Sequence, residues 1–188
     1  MEVLEAIKTR RSIRKYKSTP VDDKTLELVL EAARWAPSWK NTQCWRFIVV
    51  RDDKIKNSLA DALVTATPGS INAADNAIRN APVVIVACAE FGKSGYSEDK
   101  LKTDKGEWWY MYDVALAMQN LTLAAHSLGL ATVHVGSLDA RKVADIVKVP
   151  EGYCVVSMTP LGYPDQVRDP RPRKELSEIV FNNSFGLR

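Results

Sequence analysis

A long helical pattern, from about Glu107 to Leu128, sets the tightest limit on how this chain can fold. Its central stretch, VALAMQNLTLAA (114–125), contains no charged residue and is apolar or small on nearly all sides. A helix without a polar face has to be covered on several sides, either in a large core or between subunits. Because the chain has only 188 residues, we expect part of this helix to lie in a subunit interface. Gly129 is predicted to end it as a C-cap.

Shorter apolar patterns surround this helix and predict alternating strands and helices. Runs of β-branched and aromatic residues predict strands at WRFIVV (45–50), APVVIVACA (81–89), ATVHV (131–135) and YCVVSMTPLGY (153–163). Apolar residues spaced three and four apart predict helices at Val3–Ile7, from Asp22 or Asp23 to Pro37, from Ile55 to Pro68-Gly69, over 71–80, from Asp139 to Pro150, and near the C-terminus. These elements predict an α+β sandwich, in which one domain (1–188) has a mixed central β-sheet covered by helices.

Residues 90–107 are polar and contain glycine, lysine and acidic residues throughout. They predict a mobile surface segment or lid. The stretch GKSG (92–95) resembles the end of a phosphate-binding P-loop, but Ala87 stands where that motif needs its first glycine. The sequence contains neither the G-x-G-x-x-G dinucleotide fingerprint nor a G-x-S-x-G nucleophile motif.

The overall charge and hydropathy argue against two classes of partner. A formal net charge of +3 and a pI near 8.7 are too mild to predict a nucleic-acid-binding protein. Apolar runs such as 82–89 are much shorter than the roughly 20 residues that span a bilayer, so no membrane partner is expected. The N-terminus has acidic residues before its cations and no apolar core, and it does not resemble a secretory signal.

Cysteine and histidine usage predicts neither a disulfide framework nor a metal site. The three cysteines, Cys44, Cys88 and Cys154, form no C-x-x-C pair, and an odd number suits a reducing cytoplasm. Only two histidines are present, His126 and His134, and both are expected to be packed side chains and not ligands.

Three segments are polar in unusual ways. They are RRSIRKY (10–16), with four cations and no acid, APSWKNTQCWRF (36–47), and PRPR (170–173). Arginine binds phosphate through paired hydrogen bonds, and tryptophan offers a flat apolar face. A ligand that has both a phosphate and a planar ring would use all three segments. The alternative for the basic stretch is a solvated helix end.

Together with their neighbours, these segments resemble the flavin-dependent nitroreductase family from Ile7 to Val180. The resembling pieces are RRSIRKY, EAARWAPSWKNTQCWRFIVV, APVVIVACA, ALAMQNLTLAAHSLGLATVHVGSLD, VPEGY, PLGYP and PRPRKEL. No piece is specific alone, but their shared order and spacing are. The chain departs from the family at Cys44, where a proline is usual, and at Ser137, where glycine or an acidic-glycine pair is common.

The resemblance implies a domain-entwined homodimer with FMN sites built from both subunits. By position it implies FMN contacts from Arg10, Arg11, Ser12 and Arg14, from Val135, Gly136 and Ser137 beside the ring, and from Arg171 and Arg173 at the phosphate. It also implies that Pro37, Ser38, Trp39 and Asn41 reach the flavin of the partner subunit. Trp39, Trp108, Trp109 and Tyr110 are our hypothesis for the substrate pocket, although packing at an interface is an alternative for the last three.

The implied activity is an FMN-dependent oxidoreductase that takes hydride from NADH or NADPH. Its acceptors would be nitroaromatics, quinones or activated alkenes, reduced in a ping-pong reaction. Because the flavin carries the chemistry, the lack of a nucleophile or metal motif is expected. The alternatives are a specialised enone reductase or reductive dehalogenase of the same family, or a flavin-binding storage protein or sensor without turnover. The physiological acceptor and the choice between NADH and NADPH stay open.

Overall fold

The computed structural model describes residues 1–65, 67 and 70–187. Its α-helices are α1 (Val3–Thr9), α2 (Asp23–Arg34), α3 (Asp53–Ala60), α4 (Asp75–Asn80), α5 (Trp109–Ser127), α6 (Ala140–Val147) and α7 (Leu176–Ile179). Its strands are β1 (Trp45–Val50), β2 (Val83–Glu90), β3 (Tyr96–Ser97), β4 (Lys100–Leu101), β5 (Ala131–Thr132) and β6 (Tyr153–Gly162). Short 3-10 helices cover Trp39–Asn41 and Gly106–Trp108.

The central sheet has the strand order β1-β2-β6-β5, and every neighbouring pair in it is antiparallel. The α+β class is therefore confirmed, while the predicted mixed character is not seen in these strands. A parallel contact occurs only as an isolated bridge between Ser12 and Thr132 within the described residues. The continuous apolar run of β2 arises because both of its faces are covered, and such coverage occurs in antiparallel as well as in parallel sheets.

Two hydrophobic cores lie on opposite faces of β2. Ile85 and its alternate neighbours pack with α2 and α5, whereas Val84 and Val86 pack with α3 and α6. Alternation along the strand thus sends successive side chains to different cores. This explains why β2 carries no polar face.

One face of α5 packs in the first core, and its buried residues are Tyr110, Asp113, Val114, Ala117, Met118, Leu121, Thr122 and Ala125. The opposite face keeps Met111 and Tyr112 exposed in the single chain. The helix is therefore half covered by its own chain, and its place in an interface stays a prediction.

Several element boundaries differ from the sequence-based expectation. The strand predicted at 131–135 is limited to Ala131–Thr132, because beyond it Val135 pairs only through an isolated bridge with Met158. Helix α6 ends at Val147, because the left-handed backbone of its C-cap Lys148 (φ 56°) stops the helix before Pro150. Asp52, a side-chain N-cap, begins α3 earlier than expected, and the predicted Pro68-Gly69 stop lies outside the described residues.

The polar segment 90–107 contains the β3–β4 hairpin. At Gly95 the backbone has a φ of +85°, and a Cβ there would lie 3.0 Å from Thr103 Cγ2 and 3.1 Å from Trp109 Cβ. Glycine is therefore needed where the hairpin meets the start of α5. Across the described residues, no helix is long and apolar enough to cross a lipid bilayer.

Candidate functional site

Backbone pairing brings the basic segment 10–16 beside the chain that leaves β6. The Lys17 amide donates to the Tyr163 carbonyl (2.9 Å), and the Asp165 amide donates to the Lys15 carbonyl (2.9 Å). These bonds place the N-terminal arginines next to the residues that follow Asp165. Two segments that are far apart in sequence therefore form one site.

The orientation of the N-terminal arginines follows from Ile13. Its amide donates to the Thr132 carbonyl (3.0 Å), and its side chain is buried. In this extended stretch, neighbouring side chains alternate in direction. Ser12 and Arg14 are half-buried and line a cavity on the side away from the Ile13 side chain.

That cavity has a volume of about 300 Å³, and we call it the arginine cavity. Its lining residues are Arg10, Arg11, Ser12, Arg14, Arg168, Asp169, Arg171 and Arg173. It thus unites every residue predicted from RRSIR and PRPR. Sequence reasoning missed Arg168 and Asp169, although the basic stretch RDPRPRKEL (168–176) contained the signal.

The electrostatics of the arginine cavity favour an anion. Burial, followed by the charges of Arg173 and Arg11, lowers the pKa of Arg10. The Nε atoms of Arg11 and Arg14 are buried and have no hydrogen-bond partner among the described residues. Because crowded guanidinium groups repel and orphaned donors are costly, a phosphate dianion fits this cavity on both grounds.

A second cavity, of about 110 Å³, adjoins the first at Arg14, and we call it the ring cavity. Its lining residues are Arg14, Asn72, Ala73, Ala74, Val133, His134, Val135, Gly136 and Ser137. It therefore contains the three residues predicted to lie beside the flavin ring. The Ser137 hydroxyl donates to the Val64 carbonyl (2.8 Å), so it is engaged within the protein.

His134 is a member of the ring cavity that sequence reasoning took for a packed side chain. Its Nε2 lies 3.1 Å from Thr122 Oγ1 and its Nδ1 lies 3.4 Å from Thr159 Oγ1. Although the residue keeps an exposed edge, partial burial of its ring, followed by the positive charge of Arg10, lowers the pKa of His134. The available signal was its position in HVGS, next to the predicted ring residues.

The loop Pro37–Asn41 lines neither of these cavities in its own chain. The Trp39 backbone amide donates to Asp113 Oδ2 (3.0 Å), and its indole Nε1 donates to the Tyr96 carbonyl (2.8 Å). The Trp39 ring meets the Trp109 ring edge to face, with centroids 5.4 Å apart. The loop therefore packs against the start of α5 and the β3–β4 hairpin.

The other aromatic candidates divide between surface and core. Trp108 is 67% exposed, and Trp109 is half-buried beside Trp39. Tyr110 is buried in the first core and meets the Phe91 ring edge to face. Its burial leaves only the three tryptophans available as an accessible wall.

The same loop has a strained backbone. Lys40, Asn41 and Gln43 adopt positive φ angles of 45°, 56° and 47°, a region that side-chain-bearing residues rarely occupy. The Gln43 amide donates to Ser38 Oγ (3.0 Å), which helps to hold the turn. Residues in such conformations persist only where surrounding contacts fix them, and they concentrate at functional sites.

The departure at Cys44 creates no reactive thiol. The side chain is fully buried, and burial, followed by the nearby Asp113 carboxylate, raises the pKa of Cys44 to about 12. Burial also raises the pKa of Cys88 to about 11. These thiols stay protonated near neutral pH and do not act as nucleophiles.

The sequence matches the model of the nitroreductase family over residues 7–163. A protein of Methanothermobacter thermautotrophicus, whose name includes NADH dehydrogenase/NAD(P)H nitroreductase, is 35% identical over 168 residues, which cover 87% of this chain and 78% of that protein. The crystal structure of a nitroreductase family protein from Clostridium novyi NT has a TM-score of 0.76 at 34% identity and covers 100% of this chain and 96% of that one.

A more distant solved structure is the NADPH:FMN oxidoreductase of Vibrio harveyi in complex with NAD+. It has a TM-score of 0.82 at 26% identity and covers 97% of this chain and 77% of that one. The match to the family model runs from just before the basic stretch 10–16 to the end of β6, so the cavity residues at 168–173 lie beyond it. This chain belongs to the nitroreductase family.

Proposed function

We propose that this protein is an FMN-dependent oxidoreductase that takes electrons from NADH or NADPH and reduces nitroaromatics, quinones or related acceptors. The observation that carries the proposal is the junction at Arg14, where a cavity lined by six arginines meets a smaller cavity lined by both apolar and polar residues, among them Val133, Val135 and Gly136. FMN has a phosphate at one end and a planar ring at the other, and this pair of cavities offers a partner for each. The Vibrio harveyi neighbour, an NADPH:FMN oxidoreductase, supports the same cofactor.

The residues of the two cavities divide the work of binding. Arg10, Arg171 and Arg173 hold the phosphate, and Arg11 and Ser12 complete that end. Arg14 supplies positive charge where the cavities join. Val135 and Gly136 provide the surface beside the ring, and Ser137 is fixed by its bond to Val64. When bound, FMN supplies the two-electron chemistry, and the protein contributes binding, orientation and electrostatics.

We further propose that the active unit is a homodimer. The exposed apolar side chains Val3 and Trp35 lie on α1 and just after α2, and they line a groove together with Leu123 and Ala124 of α5. A contiguous apolar surface of this kind marks an interface with another protein. The loop Pro37–Asn41 lies outside its own arginine and ring cavities, which leaves it available to complete the site of a second copy.

The acceptor pocket is proposed to lie against Trp39, Trp108 and Trp109. Flat aromatic surfaces suit planar, electron-poor acceptors. The same aromatic wall suits enones and halogenated aromatics, so an enone reductase or a reductive dehalogenase of the same family is the alternative for the acceptor. A cytoplasmic location also stays a proposal, supported by three free cysteines.

The proposal is tested on the purified protein. Denaturation should release FMN, and not FAD, at about one per chain, because each chain contributes one arginine cavity. Oxidation of NADH and of NADPH is then followed without acceptor, with a nitroarene and with a quinone, and the mass in solution is measured. Flavin binding without turnover would favour a storage protein or sensor. A colourless protein that fails to bind added FMN would reject the cofactor assignment.

A further inference from the structure

Asp113 is a buried acid in the second turn of the apolar helix α5, and the proposed binding of FMN gives it no role. Its side chain is 1% exposed. No arginine, lysine or histidine forms an ion pair with it in the part of the chain that the structure describes. A buried charge without a cation is costly unless hydrogen-bond donors satisfy it. The identity of its donors therefore indicates what the carboxylate is for.

Both donors come from outside α5 and reach the same oxygen. The Trp39 backbone amide lies 3.0 Å from Asp113 Oδ2, and the Ser94 hydroxyl lies 2.6 Å from it. Ser94 is 2% exposed, so water does not compete for this bond. One carboxylate oxygen thus joins the loop that contains Trp39 to the segment that contains Ser94. We call this trio the Asp113 junction.

Additional bonds between the same two segments reinforce the junction. The Trp39 indole donates to the Tyr96 carbonyl (2.8 Å), and the Lys40 ammonium donates to Ser97 Oγ (2.6 Å). The loop is also the place where Lys40 and Asn41 have positive φ angles. A strained loop needs fixed partners to keep its conformation. Among these hydrogen-bonding residues, Asp113 is the one that lies on the long helix α5, which packs in the core.

We propose that Asp113 is a positioning residue that holds the 38–43 loop and the 94–101 hairpin together as one wall of the acceptor pocket. This inference rests on the proposed function, because the wall includes Trp39 and Trp109. Asp113 does not touch the reacting atoms in this assignment. It acts through Trp39 and Ser94, so the two segments should loosen together when it is changed.

The first test is amide hydrogen exchange, which needs no turnover. In Asp113→Asn, the amide side chain keeps its volume but loses the charge-assisted bonds. Peptides over both 38–43 and 94–101 should exchange at least about tenfold faster than in the wild type. Asp145→Asn, which changes an exposed aspartate on α6, is the matched control and should leave both peptides unchanged. Faster exchange in only one segment, or in neither, would overturn the proposal.

The second test separates positioning from a general loss of folded protein. For Asp113→Asn we expect the KM for a quinone acceptor to rise about tenfold, while kcat stays within about twofold, because the wall orients the acceptor and does not react. A folding defect would lower kcat through loss of active enzyme and leave KM unchanged, and that result would reject the assignment.

Ser94→Ala provides a milder variant in case Asp113→Asn does not fold. It removes one donor and keeps the bond to Trp39, so the 94–101 peptide should loosen more than 38–43. In the double variant Asp113→Asn/Ser94→Ala, both peptides should exchange no faster than in Asp113→Asn alone, because Ser94 acts through the carboxylate. Additive effects would contradict a single junction. If the wild type neither binds FMN nor oxidises NAD(P)H, the proposed function fails, whereas the exchange result on the junction still stands.

Discussion

The arginine cavity and the Asp113 junction hold their charges in opposite ways. In the cavity, six guanidinium groups face one space, and two buried Nε atoms have no partner among the described residues. At the junction, a single carboxyl group is almost completely buried, yet donors of its own chain satisfy it. Unsatisfied, crowded charge points to a ligand from outside. Satisfied, buried charge points to a role in holding the protein's own parts in place.

The largest effect that tests this contrast is expected for Arg173→Ala. Loss of a charged hydrogen bond to phosphate should weaken FMN binding by about 1.5–3 kcal/mol, which is roughly 10- to 150-fold. Riboflavin, which lacks the phosphate, should bind almost as before. Fluorescence titration of the apoprotein with both ligands measures the difference. Arg141→Ala, which removes an exposed arginine of α6, is the control, and equal weakening of both ligands would move Arg173 away from the phosphate.

A smaller effect is expected for Arg14→Met, at the join of the two cavities. Reduction of the flavin places negative charge on the ring edge, and a nearby cation stabilises it. At contact distance and an effective dielectric of about 20 the attraction is at most about 4 kcal/mol, and solvent screens part of it. Since about 30 mV corresponds to 1.4 kcal/mol for a two-electron couple, the midpoint potential should fall by tens of millivolts.

A dye-equilibrated redox titration measures that change. FMN affinity should decrease less than in Arg173→Ala, because the phosphate contacts remain. An unchanged potential with intact FMN binding would show that Arg14 does not lie at the ring edge. The arginine cavity would then be a phosphate site only, and its proposed continuity with the ring cavity would be lost.

The smallest effect is expected for His134→Gln, beside the ring cavity. Burial and the Arg10 charge lower the pKa of His134 below its ordinary value near 6.5. The unfolded state therefore binds the proton more readily, so the free energy of unfolding is highest above about pH 6.5 and falls as the pH drops. Carboxylates with lowered pKa values, such as Asp22, contribute to the pH dependence of the free energy of unfolding only at more acidic pH.

Urea unfolding of the apoprotein between about pH 5 and pH 8 measures this dependence. The free energy of unfolding should change less steeply with pH in His134→Gln than in the wild type. Part of the slope should remain, because burial also lowers the pKa of His126. An unchanged slope would mean that His134 is as accessible to protons in the folded state as in the unfolded one.

The fold could be predicted largely from local patterns, and the exceptions have identifiable causes. The β2 and β6 strands and the long helix were visible as apolar runs, and the helix predicted to begin at Asp139 is α6, which Asp139 caps. The strand direction was not readable, because a strand covered on both faces looks the same in parallel and antiparallel sheets. The strand predicted at 131–135 is shorter in the structure, because its length depends on pairing with β6, which the periodicity of the sequence does not reveal.

The arginine cavity and the Asp113 junction differ in how well they could be predicted from the sequence. The unusual charge density of the basic stretches at 10–14 and 170–173 predicted an anion-binding site, and the chain folds both stretches around one cavity. Asp113 gave no comparable signal, because one acid in an apolar helix does not identify its donors. Its bond to Trp39 joins residues 74 positions apart, and only the packing of α5 against the loop brings them together.

The positive φ angles of Lys40 and Asn41 have a consequence for engineering. Each left-handed residue with a side chain costs on the order of 1 kcal/mol, so glycine at Lys40 would remove strain and would emerge from a search for heat-resistant variants. Glycine would also give the loop access to many other conformations in the folded protein. Selection for heat resistance and selection for turnover would therefore choose different residues at this position.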